Sequence, residues 1–273
     1  MEQTGTRLKE VLAVVNNKGG VGKTTTVQSL AVAIVREQRG ARVLVIDLDP
    51  QGDLSKLMHW SNGKDGMNRP TVTDALEAGA AGCLPVYRSD RGIYFTPSSP
   101  RLQKVEPKLM EQMQPYLVLR RLLLVEVEDC TGEGITTIPE CFDYVMIDCP
   151  PALSMCVYNA MAVASGLLIP VQMEGLSVSG LAPVLVEMER VKRELNPGLE
   201  LRGLLPVMVD ARPNIVRSFL DYLHKAYGDS VTRTVVPRSV KVNEAQTQKQ
   251  DIYEYRQWSP VANAYTELVR ELF

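Results

Sequence analysis

The fold is decided by the stretch Asn16-Asn17-Lys18-Gly19-Gly20-Val21-Gly22-Lys23-Thr24-Thr25-Thr26, which follows a β-branched apolar run and opens a helical pattern. Glycines allow the backbone to turn so that successive N–H groups point inward, where they can bind phosphate oxygens. The positive end of the following helix dipole lies at the same place and adds to the attraction. In this pattern the Lys23 ammonium reaches the β- and γ-phosphates and the Thr24 hydroxyl binds Mg²⁺. The stretch therefore predicts a phosphate-binding loop between a strand and a helix.

Two further stretches end an apolar strand pattern with acidic residues. One strand pattern is followed by Asp47-Leu48-Asp49-Pro50-Gln51-Gly52-Asp53, and another by Asp148-Cys149-Pro150-Pro151. Two carboxylates one residue apart suit metal-dependent phosphate chemistry, because one can hold a metal-bound water while the other faces the attacking water. An aspartate after an apolar strand is typical of a Walker B residue, which binds Mg²⁺ through water. Asp47, Asp49 and Asp148 are therefore the candidate acidic residues.

Apolar β-branched runs alternate with helical segments along the chain. The candidate strands are Val11–Asn16, Val43–Asp47, Ile93–Thr96, Tyr144–Asp148, Leu167–Val171, Leu204–Val209 and Val231–Val235. The candidate helices are Thr24–Glu37, Thr73–Ala78, Tyr116–Val127, Ser154–Ala164, Ser179–Leu195, Asn214–Tyr227 and Pro260–Phe273. Several strands are continuously apolar, as expected where helices cover both faces of a sheet. We therefore predict an α/β fold with a mostly parallel twisted sheet flanked by helices on both faces.

Three stretches interrupt the alternation and are expected to be surface loops: Ser61–Arg69, Gly79–Gly92 and Asp129–Glu140. None of them shifts the composition enough to mark a domain boundary, so residues 1–273 are predicted to form a single domain. Only residues 1–10 precede the first predicted strand, so no N-terminal helix-turn-helix domain is expected.

Composition excludes several classes of protein. The chain has 273 residues, with 30 Lys and Arg against 32 Asp and Glu and a net charge of −2, which excludes a disordered or polybasic chain. No apolar run reaches the roughly 18 residues of a membrane span, and the N-terminus lacks the apolar core of a signal peptide. Five cysteines without a CxxC pair favour a reducing cytoplasm over a disulfide framework.

The phosphate loop departs from the usual GxxxxGK[ST] pattern. Asn17 stands where glycine is usual, and an additional lysine, Lys18, precedes the paired glycines. This KGGxGKT arrangement is the deviant Walker A signature, and the chain here resembles the ParA/MinD group of P-loop ATPases, which includes the nitrogenase iron protein. The DLDPQG and DCPP sequences are similar to those of ParA in particular. The resemblance runs from Val11 to Phe273 and implies ATP and Mg²⁺ as cofactors, with ATP hydrolysis as the activity.

The resemblance also implies roles for individual residues. Catalytic roles are implied for Lys18, which reaches the partner subunit's phosphates, for Lys23, and for Asp49, which orients the hydrolytic water. Mg²⁺ contacts are implied for Thr24 and, through water, for Asp47 and Asp148. ATP binding is implied for Lys18, Gly19, Gly20, Val21, Gly22, Lys23, Thr24 and Thr25.

The C-terminal third is locally basic, with eight Lys or Arg against four Asp or Glu between Arg202 and Lys249. On charge alone this pattern indicates a solvated face. By the resemblance, segments here line the adenine pocket, with Asp210 and Pro237 as contacts, and supply Arg212, Arg238 and Lys241 to sequence-independent DNA binding. The family's usual Pro and Gly residues are missing between Gln246 and Gln257.

The leading functional hypothesis is a partitioning ATPase that forms a homodimer with ATP, binds duplex DNA non-specifically and is switched by a ParB-like activator. It segregates plasmid or chromosomal DNA, and its expected location is the cytoplasm, associated with the nucleoid and not with a membrane.

Four alternatives stay open at this point, the last of them less favoured. A MinD-like membrane switch needs a basic amphipathic C-terminal helix, but Arg270 is the only basic residue of the last helix, so packing against the core is expected. An electron carrier like the nitrogenase iron protein needs two cluster-binding cysteines, for which Cys130 or Cys141 with Cys156 are candidates. A ParA-like ATPase that positions a protein complex is the third, and a metabolic kinase or synthetase on the same fold is less favoured.

Overall fold

The computed structural model describes residues 7–61, 69–128, 135–172, 181–209 and 213–273. Its strands are β1 (Glu10–Val14), β2 (Val43–Asp47), β3 (Tyr87–Arg88), β4 (Tyr94–Thr96), β5 (Val127–Glu128), β6 (Ile135–Thr136), β7 (Tyr144–Asp148), β8 (Gly166–Gln172) and β9 (Glu200–Val207). Its helices are α1 (Lys23–Glu37), α2 (Asp53–Leu57), α3 (Val72–Ala78), α4 (Glu106–Met110), α5 (Val118–Leu124), α6 (Ile138–Cys141), α7 (Met155–Val163), α8 (Leu181–Glu194), α9 (Pro213–Tyr227), α10 (Val240–Thr247), α11 (Ile252–Arg256) and α12 (Pro260–Leu272).

Within the described residues, seven strands form one sheet in the order β3-β4-β2-β7-β1-β8-β9. All neighbouring pairs are parallel except β3 with β4, at one edge. The short strands β5 and β6 pair separately and are antiparallel. The predicted α/β class with a mostly parallel sheet is confirmed.

The side chains of β1 alternate between two apolar layers, one on each face of the sheet. Val11 and Ala13 lie in a layer that includes residues of α5, α7 and α8. Leu12 and Val14 lie in the opposite layer, with residues of α1 and α12. Strands buried on both faces read as continuous apolar runs, which is why the sequence located them correctly.

The register of the sheet brings the three sequence motifs to one edge. Val14 of β1 is level with Asp148 of β7, and Asp47 of β2 is level with the same aspartate. Because the strands are parallel, the loops that follow them leave the sheet on the same side, where open α/β folds bind their ligands.

The prediction of a strand at Val231–Val235 is wrong. Val231 forms only an isolated bridge to Leu204, and the backbone N–H groups of Arg233 and Thr234 donate to the Glu271 carboxylate of α12 at 2.7 and 2.9 Å. Because these two N–H groups donate to a side chain and not to β9, the segment does not form a ladder of β-sheet hydrogen bonds with β9. The region Gly79–Gly92, expected to be a loop, contributes the edge strand β3.

The C-terminal helix α12 packs against the core, as expected. Its apolar stripe, including Val261, Tyr265 and Leu268, is buried, and the Tyr265 hydroxyl lies 3.1 Å from the Thr26 hydroxyl of α1. Across the described parts of the chain, no helix combines the length and apolar character needed to cross a bilayer.

Candidate functional site

The loop between β1 and α1 is folded by glycine conformations and by contacts with β8. Gly20 and Gly22 have φ values of 72° and 77°, in the left-handed region that favours glycine. The Asn16 side-chain amide donates to the Pro170 carbonyl at 2.7 Å. The Gln172 amide donates to the Gly20 carbonyl at 2.9 Å. These bonds fix the loop at the N-terminus of α1, where first-turn N–H groups have no partner within the helix.

The two lysines of the loop have different environments. Lys23 is buried, and its Nζ donates to the Lys18 carbonyl at 3.0 Å. Burial lowers the pKa of Lys23, while the nearby carboxylates Asp148 and Asp49 oppose this shift. The Lys18 side chain is half-buried, with its Nζ 3.5 Å from the Gln172 side-chain oxygen. Lys23 is thus a desolvated cation at the loop, where a phosphate would be a strong partner.

Thr24 and Asp148 form the part of the site that fits a divalent metal. The Thr24 hydroxyl donates to Asp148 Oδ2 at 2.7 Å, so two of the three predicted Mg²⁺ residues are brought together. The other carboxylate oxygen, Oδ1, is buried without a hydrogen-bond partner. Burial and the neighbouring Asp47 raise the pKa of Asp148 well above its ordinary value. An unsatisfied acceptor next to a hydroxyl fits Mg²⁺ and its waters, because both are oxygen ligands of the kind that this metal prefers.

The contacts of Asp47 hold the backbone that follows β2. Its Oδ1 accepts from the Asp49 N–H at 3.1 Å, and its Oδ2 accepts from the Ser55 N–H and hydroxyl at 2.8 and 2.6 Å. Burial raises the pKa of Asp47 to about 7, although these hydrogen bonds act in the opposite direction and lower it. The structure therefore gives Asp47 a supporting role for the Asp49 turn and α2, while its contact with Mg²⁺ through water stays a prediction.

A cleft of about 840 Å³ opens over the phosphate loop. Gly19, Gly20, Gly22, Lys23, Thr24, Thr25 and Asp49 line it, whereas the predicted ATP contact Val21 is fully buried beneath the loop. Asp49 lies on the cleft surface, where its Oδ1 accepts from the Gln51 N–H at 2.9 Å, and its role in orienting the hydrolytic water stays a prediction. The cleft has the size and polarity of a nucleotide site.

One part of the cleft wall was not among the individual site residues predicted, although Met208, Val242 and Asn243 belong to segments that the resemblance assigned to the adenine pocket. It consists of Met208, Lys249 and four residues of α10, namely Val242, Asn243, Gln246 and Thr247. The available signal was the Ser239 N-cap: its hydroxyl accepts from the Lys241 N–H at 3.2 Å and starts α10. Short helices of low amphipathicity give little periodic pattern, so this one was missed.

The remaining predicted residues lie around the same end of the sheet or outside the described residues. Asp210 and Arg212 belong to the part of the chain that is not described. Pro237 forms a bridge to Val209 beside β9 and is not among the residues that line the cleft. Arg238 is exposed, and Lys241 donates to the Glu244 carboxylate at 2.7 Å. The base-contact and DNA-contact roles stay predictions.

The candidate cysteines that the structure describes, Cys141 and Cys156, do not fit the electron-carrier alternative. Cys141, Cys149 and Cys156 are buried, whereas a cluster held between two subunits needs cysteines at the surface. Burial raises the pKa of Cys156 to about 12, which disfavours the thiolate that a metal requires. Cys130 lies outside the described residues.

Comparison with known proteins agrees with this geometry. A family profile described as AAA domain matches residues 9–201. The chromosome partitioning protein ParA of Caulobacter vibrioides is 34% identical over 263 residues, covering 96% of this chain and 93% of that protein. The chromosome-partitioning ATPase Soj of Treponema pallidum is 31% identical over 265 residues, and the match covers 96% of each chain.

A solved structure supports the same assignment of fold and cofactor. Cobyrinic acid a,c-diamide synthase from Mycobacterium smegmatis, with bound ADP and magnesium, superposes with a TM-score of 0.76 at 30% identity, covering 96% of this chain and 93% of that one. The phosphate loop, the Thr24–Asp148 pair and the nearly full-length relatives all agree. The chain therefore belongs to the ParA/Soj family of P-loop ATPases, Mg²⁺-dependent enzymes that hydrolyse ATP.

Proposed function

We propose that this ATPase forms a homodimer with ATP, binds duplex DNA without sequence preference and partitions plasmid or chromosomal DNA under the control of a ParB-like activator. The observation that carries the proposal is a Lys18-containing deviant loop in a chain whose partitioning relatives match it over nearly its full length. We further propose that the protein is cytoplasmic and associated with the nucleoid through its DNA binding.

Each residue of the site has a separate role in ATP hydrolysis. Lys23 meets the β- and γ-phosphates from within the loop, where burial strengthens its attraction for them. Thr24 and Asp148 would hold Mg²⁺, which when bound neutralises charge on those phosphates. Asp49 orients the attacking water, and Asp47 holds the Asp49 backbone in place through the 3.1 Å hydrogen bond. Lys18 would reach the phosphates bound by the partner subunit, so that turnover requires the dimer.

Two of the proposed DNA contacts, Arg238 and Lys241, lie beside β9 and at the start of α10. The Arg238 backbone N–H donates to the Val209 carbonyl at 2.9 Å, which fixes this exposed arginine beside the sheet. Lys241 forms an ion pair with Glu244, and both side chains are about two-fifths exposed. A DNA phosphate would replace Glu244 as the lysine's partner. Because DNA binding would break the ion pair between Lys241 and Glu244, one protomer should bind DNA weakly. A dimer with two such surfaces should bind DNA more strongly.

The test is retention of duplex DNA on a filter with ATP, with ADP and without nucleotide. Wild type should retain DNA of unrelated sequences equally, and only with ATP. Lys23→Ala should retain none, while Asp49→Ala should retain DNA with ATP because it binds nucleotide without consuming it. Retention that is independent of nucleotide, or absent with ATP in the hydrolysis-deficient Asp49→Ala protein, would contradict the proposal.

The same measurement separates the competing assignments. A synthase, as the Mycobacterium smegmatis protein is named, would show no ATP-dependent retention of DNA. A membrane switch would also retain none, and the buried stripe of α12 already disfavours it. A ParA-like ATPase that positions a protein complex would still retain DNA, so cargo identification needs the activating partner.

A further inference from the structure

One side-chain hydrogen bond joins α10 to the phosphate loop. Gln246, near the end of α10, donates from Nε2 to the Thr25 hydroxyl of α1 at 2.9 Å. Both residues line the nucleotide cleft, and both are half-buried. The contact therefore places an amide donor from the C-terminal third of the chain at the edge of the phosphate cradle.

The chemistry at this point favours an anion. Thr25 is in the first turn of α1, where backbone N–H groups have no partner within the helix and bind the α- and β-phosphates in phosphate loops. The Gln246 amide nitrogen carries two N–H groups, and Thr25 accepts one of them. The second N–H can donate to a phosphate oxygen that lies against Thr25.

Contacts at both ends of α10 hold Gln246 at this position. At the start, the Ser239 hydroxyl caps the helix by accepting from the Lys241 N–H. Just after the end, Lys249 adopts a left-handed conformation with φ 55°, and its carbonyl accepts from His59 Nε2 at 2.8 Å and Arg91 Nη2 at 3.0 Å. A donor that is already in place costs little ordering entropy when a ligand arrives.

We infer that Gln246 is a nucleotide-binding residue whose side-chain amide donates to the α-phosphate of bound ATP or ADP. The family's usual Pro and Gly residues are missing between Gln246 and Gln257, and the resemblance implied no nucleotide contact for Gln246. The inference rests on the ATP site of the family and is independent of the proposed DNA binding, because no DNA enters its test.

The test compares two glutamine-to-glutamate variants of the same segment. Gln246→Glu removes the donor and places a carboxylate against the phosphate, whereas Gln248→Glu adds the same charge at an exposed position that does not line the cleft. Affinities for ADP and a non-hydrolysable ATP analogue are measured by calorimetry. Loss of a hydrogen bond to a charged group corresponds to about tenfold or more in affinity. We expect at least that loss for Gln246→Glu and less than twofold for Gln248→Glu.

A neutral variant and the two nucleotides make the outcome decisive. Gln246→Leu keeps the size without a charge, and it should weaken ADP and the ATP analogue by the same factor because both carry the α-phosphate. Thermal unfolding identifies any variant that does not fold. If Gln246→Glu does not fold, the affinities of Gln246→Leu test the inference in its place. Affinities within twofold of wild type for a folded Gln246→Leu protein would overturn the inference. A loss confined to the ATP analogue would also overturn it, because the contact would then be to the γ-phosphate.

Discussion

Lys23 is the residue whose position most directly explains the phosphate site. Its ammonium is buried, and its contact at 3.0 Å is a neutral carbonyl, that of Lys18. A buried cation is costly unless it is paired, and the lowered pKa of Lys23 reflects that cost. A nucleotide phosphate would place an anion in direct contact with the Lys23 ammonium. Nucleotide binding would therefore offset the free-energy cost of burying this charge.

Replacing Lys23 by alanine should weaken ATP binding by at least about tenfold, since a charge-assisted hydrogen bond contributes roughly 1.5–3 kcal/mol. Equilibrium binding of ATP to wild type and Lys23→Ala measures the effect. Lys56→Ala is the control, because this exposed lysine also lines the cleft but pairs with Asp53 at 2.8 Å. An ATP affinity of Lys23→Ala within twofold of wild type would refute the loop assignment.

Asp49→Ala should separate binding from chemistry. Orientation of the attacking water matters in the transition state and not in the ground state, so the variant should bind ATP and dimerise but lose phosphate release. Size-exclusion chromatography with ATP and a phosphate-release assay test both parts. A variant that stays monomeric with ATP, or one with wild-type turnover, would show that Asp49 has another role.

At the scale of elements, the sequence predicted the strands that are buried on both faces of the sheet. It did not predict the segments whose conformation depends on a few polar side-chain contacts. The central strands and α1 were located because continuous apolar runs and a glycine-rich phosphate loop are local signals. Val231–Val235 reads as a strand, but the carboxylate of Glu271, far along the chain, takes its donors. For the same reason the loop residues of the site were predicted one by one, while the helix α10 and its cleft residues Gln246 and Thr247 were not.

The Glu271 contact predicts a pH dependence of stability. Burial opposes ionisation, but hydrogen bonds from the Thr234 hydroxyl and from the N–H groups of Arg233 and Thr234 lower the pKa of Glu271 below its ordinary value of 4.5. A lowered folded-state pKa gives stability that is present above about pH 4.5 and is lost as pH falls through the folded-state value. Glu271→Gln should therefore lower Tm at pH 7, and the deficit relative to wild type should shrink toward pH 3.

Thermal unfolding from pH 7 to pH 3 measures this difference. Glu267→Gln is the matched control, since Glu267 is an exposed glutamate one turn earlier that pairs with Arg270 at 2.6 Å. Its substitution should change Tm little at any pH, because exposed ion pairs contribute little to stability. A Tm deficit of Glu271→Gln that stays constant over the whole pH range would disprove the linkage.

At the scale of the whole molecule, the proposed DNA binding depends on the positive charge that the proposed dimer would bring together. The chain carries a net charge of −2, so the basic C-terminal third acts against a weakly acidic background. A dimer that aligns two copies of this surface doubles its phosphate contacts without any change of fold. Nucleotide binding would in this way control DNA affinity through the number of linked sites.

The salt dependence of DNA binding tests this arrangement. If an ATP dimer contacts about four to six phosphates, the logarithm of its affinity should fall with the logarithm of salt concentration at a slope near −4 to −5. Combined alanine substitution of Arg212 and Lys241 removes up to four contacts per dimer and should flatten the slope by about 3 to 4. The ATP dimer itself should persist.

The matched control replaces Arg190 and Arg193, two exposed arginines of α8, and should leave the slope unchanged. Equal slopes for wild type and the Arg212/Lys241 variant would place the DNA surface elsewhere.

The loop that binds phosphate is held by a strand made much later in translation. Asn16 bonds to Pro170 and Gln172 bonds to Gly20, and the Val11 N–H donates to Ser165, 154 residues farther along the chain. At about 5–20 residues per second, β8 is synthesised roughly 10–30 seconds after the loop. During that interval the ribosome-bound chain has the glycines and lysines of the loop but not the neighbours that shape them. Nascent chains that end before Gln172 should therefore bind no nucleotide, and ATP can assist folding only after β8 has left the exit tunnel.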